Sequence, residues 1–451
     1  MSASPDSASR FSLTDATLRQ IVADVLAHAS ALGASSAEAE VSEGFGQTVT
    51  VRRGEVETIE YNRDKGIGVT VYLGRRRGHA SSSDLSPRAL RATTEAALSI
   101  ARFTAEDDCA GLADADLLAR EFPDLDLYHP WDLAVEQAIA LAGACEAAGF
   151  AVDPRIANSE GATVSTQQSH FIYGNSLGFL GGYPTSRHSL ACAMIAEAGD
   201  EMQRDDWYVA ARDAGTLEPA EAVGRRAGER AVRRLGARKI PTTQAPVLFE
   251  APVAGSLLGH FASAASGGSL YRKSSFLEGS LGRQVFAPAV TIIDDPFVPG
   301  GLGSSPFDEE GVATARREVV SAGVVQGWFL SSYSARKLGL RSTGNAGGTH
   351  NLILRDTGED FQALLARMGR GLLVTELLGH GVNLVTGDYS RGAAGYWVED
   401  GVIVHPVEEV TVASNLKDMF AGIAAAGSDV LVRGNRRCGS VLVERMTIAG
   451  D

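Results

Sequence analysis

The feature that most constrains this chain is a change of hydrophobic period that happens twice. Around residues 14–33, apolar side chains recur at helical spacing (Leu18, Ile21, Val22, Val25, Leu26) behind Thr14, a residue type that caps helix N-termini. Over 46–83 the period drops to two. Val49 and Val51 alternate with polar residues, then Val56 and Ile59, then Ile67, Val69, Val71 and Leu73, with interruptions at Gly54 and at 62–66. Period two sends successive side chains to opposite faces of a strand, so this stretch predicts an antiparallel meander. Ser86-Pro87 then reads as a cap followed by proline at the first helical position, opening a helix to about residue 104.

The same order returns: a helix over 131–149, a strand-rich stretch from 155 to 211, and a helix near 218–235. The second meander carries Tyr173-Gly174-Asn175-Ser176-Leu177-Gly178, an echo of Tyr61-Asn62-Arg63-Asp64-Lys65-Gly66 at the matching turn. Internal duplication and chance recurrence of one turn both account for the echo. The pattern predicts two antiparallel sheets flanked by helices. Residues 238–246 are polar and punctuated by Pro241 and Pro246, and read as a hinge. Beyond it, 246–451 is Gly-rich, with short strands such as 401–404 and 440–448 and helices near 252–265 and 359–373. The fold class is therefore α+β: two helix-flanked antiparallel meander modules followed by a larger β-rich C-terminal domain. The boundaries fall at 1–112, 113–238 and 239–451. Three domains also suit 451 residues at about 150 per domain.

Composition narrows the function. With 51 Gly against only 15 Pro, the chain suits many tight turns and not a disordered or collagen-like state. Its 41 basic and 55 acidic side chains leave a net charge of −14, which argues against nucleic-acid binding. The basic runs Arg75-Arg76-Arg77 and 225–234 read as solvated faces. Four scattered cysteines without a CxxC indicate neither a disulfide framework nor a zinc ribbon. No apolar run reaches the ~18 residues of a membrane span, and the polar start lacks the regions of a signal peptide. A soluble, cytoplasmic protein is expected, without a membrane or nucleic-acid partner.

Familiar catalytic patterns are missing. There is no GxxxxGK[ST] and no GxSxG, and Gly300-Gly301-Leu302-Gly303 lacks the third glycine of a dinucleotide fingerprint. Glu376 and His380 would share a helix face, but Gly379 and Gly381 end any helix there, and one pair is too few for zinc. Asp294-Asp295 with Asp308-Glu309-Glu310 could gather oxygen ligands, yet lacks the spacing of a calcium loop, and turn capping is the plainer reading. His260 reads as a structural histidine on an apolar helix. Cys438 reads as a small buried residue or a thiolate ligand. From the residues alone, no active site assembles.

Longer motifs carry a resemblance. The stretches Ser342-Thr343-Gly344-Asn345-Ala346-Gly347-Gly348-Thr349-His350-Asn351 and Thr386-Gly387-Asp388-Tyr389-Ser390-Arg391-Gly392-Ala393-Ala394-Gly395-Tyr396-Trp397-Val398-Glu399 resemble the PmbA (TldE) branch of the TldD/PmbA family. Cys438-Gly439-Ser440, Asp294-Asp295-Pro296 and 307–311 fit the same pattern, and the likeness runs over essentially the whole chain beyond residue 10. It implies a subunit of a metalloprotease that processes unfolded peptides, an older family label being modulator of DNA gyrase. In the TldD branch, an HExxxH helix and a C-terminal cysteine would hold zinc, with the glutamate as general base on metal-bound water. Here those helix positions fall on Glu250-Ala251-Pro252-Val253-Ala254-Gly255, so both histidines and the base are absent and only Cys438 keeps ligand character. The resemblance thus implies no catalytic residue, no metal and no cofactor in this chain, Cys438 being a vestigial ligand position. Zinc would sit in a TldD-like partner. This chain would pair with that subunit and bind extended peptide, a homodimer being the arrangement open to it alone. Strand edges of the Gly-rich domain would offer main-chain hydrogen bonds, with Asp388, Tyr389 and Arg391 as cavity-lining candidates. The alternative reading is a non-catalytic regulator that binds DNA gyrase or another protein.

Overall fold

The computed structural model describes residues 11–450; the polar start at 1–10 lies outside them. Helix α1 (Asp15–Ala31) is capped by Thr14, whose hydroxyl accepts from the Thr17 N–H. Strands β1 (Ser36–Arg52), β2 (Glu55–Leu73) and β3 (Arg76–Ser82) form the first meander, and α2 (Pro87–Phe103) follows behind its Ser86 cap. The order repeats as α3 (Val135–Phe150), β4 (Ile156–Asn175), β5 (Leu180–Ala198), β6 (Glu201–Ala211) and α4 (Ala220–Arg233).

The two meanders do not make two sheets. β1 and β4 pair antiparallel from Glu38↔Asn175 to Val51↔Ala162, giving one six-stranded sheet in the order β3-β2-β1-β4-β5-β6. Sequence periodicity reports which side chains share a face but not which edge finds a partner, so the merger was not readable from it. The matching-turn echo also fails. Residues 61–66 run inside the continuous strand β2, whereas 175–178 do turn between β4 and β5. The first hairpin instead turns at Arg53 and Gly54, both at positive φ, and their N–H groups donate to the buried Glu146 carboxylate at 2.8 and 2.9 Å.

All four helices cover one face of this sheet. Val22 and Leu98 meet Val41 and Val69 at one end; Val223 and Ala142 meet Val49 and Val164 at the other. Each fully buried Val or Leu contributes about 1.5–3 kcal/mol relative to exposure. α3 and α4 approach so closely that a Cβ on Gly224 would stand 1.7 Å from the Cys145 carbonyl oxygen.

The C-terminal domain opens with β7 (Thr243–Phe249), so the last residues of the expected hinge are strand, and continues into α5 (Ala251–Ala264) and the short α6 (Gly267–Tyr271). Then come β8 (Ile292–Asp295), β9 (Arg317–Ser321), β10 (Val324–Val325), α7 (Ser332–Lys337) and β11 (Asn351–Leu354). Helix α8 spans only Phe361–Met368, shorter than 359–373. Gly369 ends it at φ +64, and β12 (Gly371–Leu378) takes up its apolar run as a buried strand parallel to β7. Glu376 is therefore on a strand, and no helix face joins it to His380. β13 (Asp388–Glu399), β14 (Val402–Asn415), α9 (Leu416–Ala421), β15 (Ile423–Ala426), β16 (Leu431–Arg433), β17 (Arg436–Cys438) and β18 (Val441–Ala449) complete the chain. Two six-stranded sheets result, and a β14–β18 pairing closes the second on itself. Their main core gathers around α5, where Leu257, Leu258 and Phe261 are buried. Among the described residues no helix is long and apolar enough to cross a membrane.

Candidate functional site

Period two decides what the open face of the large sheet presents. The odd residues of β1 turn to the helices, so Glu38, Glu40 and Ser42 turn the other way, beside Tyr173 of β4. The loops at 305–311 and 342–350 of the C-terminal domain come up against them. Between lies a cavity of about 800 Å³, lined by Glu38, Glu40, Tyr173, Glu309, Glu310 and Gly347 among others.

This cavity is acidic. Glu38 accepts from the Tyr72 hydroxyl at 3.1 Å and the Tyr173 hydroxyl at 2.8 Å. Burial, with Glu309 adding, holds the Glu40 carboxyl above the usual range, and burial raises Glu310 although the Ser332 N–H donates to it at 2.8 Å. Asp308 accepts from the N–H groups of Glu310, Val312 and Ala346, each at 2.9 Å. Those donors favour its charged form, but burial, helped by the Glu310 charge, pushes its pKa up to about 7. Gly347 sits at φ +92, and a Cβ there would stand 2.5 Å from a Glu309 carboxylate oxygen, so this loop needs glycine.

Much of the 342–351 motif is structural. The Asp294 carboxylate, fully buried, accepts from the His350 N–H at 2.7 Å and from Asn345 Nδ2 at 2.9 Å, with His350 Nδ1 at 3.1 Å. Asp295 pairs with Arg316 and accepts from the Phe297 N–H. Asp294, Asp295 and Asp308 therefore brace turns while Glu309 and Glu310 face the cavity, and among the described residues no three such side chains gather for one ion.

Asp388, Tyr389 and Arg391 do not line the acidic cavity. Asp388 is exposed; hydrogen bonds from Thr386 Oγ1 (2.6 Å) and Asn415 Nδ2 (3.1 Å) lower its pKa. Tyr389 is buried edge-on to His260, with ring centroids 5.8 Å apart, and burial pushes its hydroxyl up to about 12. Arg391 Nη2 donates to the Leu377 carbonyl at 3.2 Å, so no Asp388–Arg391 pair forms. The residues that do form the cavity, Glu38 and Glu40 above all, were not singled out in the sequence. The available signal was the period-two register upstream of residue 46.

The positions matched to the HExxxH helix are put to other uses. Glu250 accepts from Arg230 Nη1 at 2.9 and 3.1 Å, and Arg230 Nε also donates to Asp205 at 3.0 Å. Arg234, the C-cap of α4, adds Glu376 at 2.5 Å, so Arg230 and Arg234, with side chains only 14% and 11% exposed, are ion-pair partners and not part of a solvated face. Ala251 has no donor side chain, and its N–H donates to Ser440 Oγ at 3.0 Å. Gly255 and Gly259 leave room for the Arg436 side chain, which lies across the helix. Cys438 is buried, and burial pushes its thiol up to about 12, away from the thiolate that binds metal. A catalytic zinc takes three protein ligands. With Glu250 held by Arg230 and no donor at 251 or 255, these residues do not fit one.

This arrangement defines a mixed α/β protein in which the helix Ala251–Ala264 carries a single histidine, His260. The chain belongs to the PmbA/TldD family. Residues 37–101, 128–235 and 242–450 match the models of PmbA/TldA metallopeptidase domain 1, central domain and C-terminal domain. The chain is 49% identical to the metalloprotease PmbA of Escherichia coli O157:H7 over 415 residues, covering 92% of each. It is 45% identical to a Haemophilus influenzae metalloprotease PmbA homolog, covering 96% of each. A Bacteroides thetaiotaomicron protein described as a modulator of DNA gyrase superimposes with a TM-score of 0.92 at 25% identity, covering 97% of this chain and 100% of that one. TldE from Thermococcus kodakarensis shares the fold, with a TM-score of 0.84 at 18% identity, covering 95% and 100%.

Proposed function

We propose that this chain is the metal-free subunit of a cytoplasmic PmbA/TldD-type peptidase. It would bind unfolded peptide beside a TldD-like partner that carries the zinc. The observation that carries this reading is the Arg230–Glu250 ion pair at the first position of the matched helix. General-base hydrolysis on a metal-bound water needs both the metal and a nearby carboxylate. Here that carboxylate position is Ala251 and the second histidine position is Gly255. Recovering the chemistry would take several simultaneous changes, so the reading gives this subunit peptide binding and assembly. The large groove between sheet and loops, lined by Glu38, Glu40, Glu309, Glu310 and Gly347, supports that role.

The test is hydrolysis of an unfolded polypeptide by the purified chain alone, by a TldD-like subunit alone, and by the two mixed. The proposal expects activity only where the TldD-like subunit is present, with the mixture the fastest. Cleavage by this chain alone in the presence of chelator, at the rate of the mixture, would refute it. Recovery of gyrase instead of a TldD-like chain in a pull-down would favour the regulator.

A further inference from the structure

A second cavity, of about 660 Å³, lies in the C-terminal domain and shares Ser331 and Gly347 with the acidic one. Its character is the opposite. Its walls are glycines, tyrosines, asparagines and hydroxyls such as Ser263, Ser266 and Ser269, and Arg436 is the only charged residue among them. The Arg436 guanidinium rests on α5, where a Cβ at Gly259 would stand 2.6 Å from its Nη2. Among the described residues it has neither a hydrogen bond nor a carboxylate partner. At the rim, Arg272 lies 5.1 Å from the Tyr271 ring centroid and donates to that hydroxyl at 3.0 Å, again without a carboxylate. His260, next along the helix, is held neutral by burial and by the nearby Arg391 and Arg436 charges, so it adds no second cation there. A half-buried guanidinium with no counter-ion, surrounded by hydroxyl donors, is built to receive an anion, and its planar fork suits a carboxylate.

We infer that the Arg436 cavity seats a carboxylate of a bound peptide. This rests on the peptide-binding reading above. The acidic and basic cavities meet at Gly347, so a peptide laid across that loop would meet carboxylates at one end and a guanidinium at the other. Two carboxylates could fill the seat: the C-terminal group of a short peptide, or an Asp or Glu side chain within a longer one.

The experiment is fluorescence anisotropy of labelled peptides on the full chain. The probes are a short neutral peptide as free acid, the same peptide amidated, and an amidated version with one internal Glu. We expect the free acid to bind at least ten-fold more tightly than the plain amide if the terminus fills the seat. We expect the internal Glu to restore affinity if a side chain does. In either case Arg436→Gln should abolish the difference and Arg436→Lys should restore part of it. Gly259→Ala, which keeps the charge but displaces the guanidinium, should weaken acid binding while leaving amide binding unchanged. Equal affinity of all three peptides for the native chain would overturn the carboxylate seat and leave peptide binding intact. No binding of any peptide would overturn both.

Discussion

Arg230 and Glu250 meet across the junction of the central module and the C-terminal domain, one guanidinium nitrogen donating to both carboxylate oxygens at 2.9 and 3.1 Å. The contact ties α4 to Glu250, the N-cap of α5. Arg230 also holds Asp205, so it neutralises two carboxylates at once.

Removing that arginine should cost more than removing either acid. Breaking a buried pair by deleting one partner destabilises by about 3–5 kcal/mol. Arg230→Met should lose up to about that much, because it strands Glu250 and leaves Asp205 only the longer Arg234 contact at 3.7 Å, whereas Glu250→Gln, which keeps the Arg230–Asp205 pair, should lose less. Urea unfolding monitored at Trp207 measures both; equal losses would contradict the shared role of Arg230.

Close helix packing gives a second prediction. With the Cys145 carbonyl 1.7 Å from where a Cβ would stand, Gly224→Ala must push α3 and α4 apart. Overpacking of this kind costs about 1–3 kcal/mol or more. Thermal unfolding should show a lower midpoint for Gly224→Ala, while Gly143→Ala, inside α3 with nothing within 4 Å, should show a midpoint at or above the native one because alanine is the better helix former.

Asp308 sets a pH dependence. Its folded pKa of about 7 lies above the unfolded value near 3.8. The folded chain therefore holds the proton more tightly, and stability from this group is fully present below pH 3.8 and lost as pH rises through about 7. The full shift corresponds to about 4 kcal/mol, with Glu40 and Glu310 raised in the same direction. His170, His188 and His260, all shifted down by burial, contribute the opposite slope, so the readout is the midpoint of the native chain minus that of Asp308→Asn, which should fall as pH rises from 4.5 to 8. A difference that rises over this range would contradict the assignment.

Cys438 should be inert. A buried thiol pushed up to about 12 supplies almost no thiolate at pH 8. Alkylation of the native chain should label Cys109, the one cysteine of the four that is not buried, before Cys438. Mass spectrometry that finds Cys438 labelled first would remove the argument.

Fold and site were legible in the sequence to different degrees. The helices behind Thr14 and Ser86 and the period-two strands could be read because capping and alternation are local signals. The single sheet could not, because β1–β4 pairing joins residues more than a hundred positions apart. Helix α8 was overextended because a buried parallel strand such as 371–378 is apolar throughout and shows no alternation. In the site, the absence of histidine from 250–255 could be read directly. The reuse of Glu250 by Arg230, and the turning of Glu38 and Glu40 towards loops at 309 and 347, depend on tertiary contacts that no local spacing encodes.

Metal content tests most directly the proposal that this chain, with no histidine at 250–255, holds no zinc. The tag-free chain, purified without added chelator, should contain well under one zinc per molecule by elemental analysis. Its content should be unchanged by Cys438→Ser. One tightly held zinc per chain, lost on that substitution, would contradict the account.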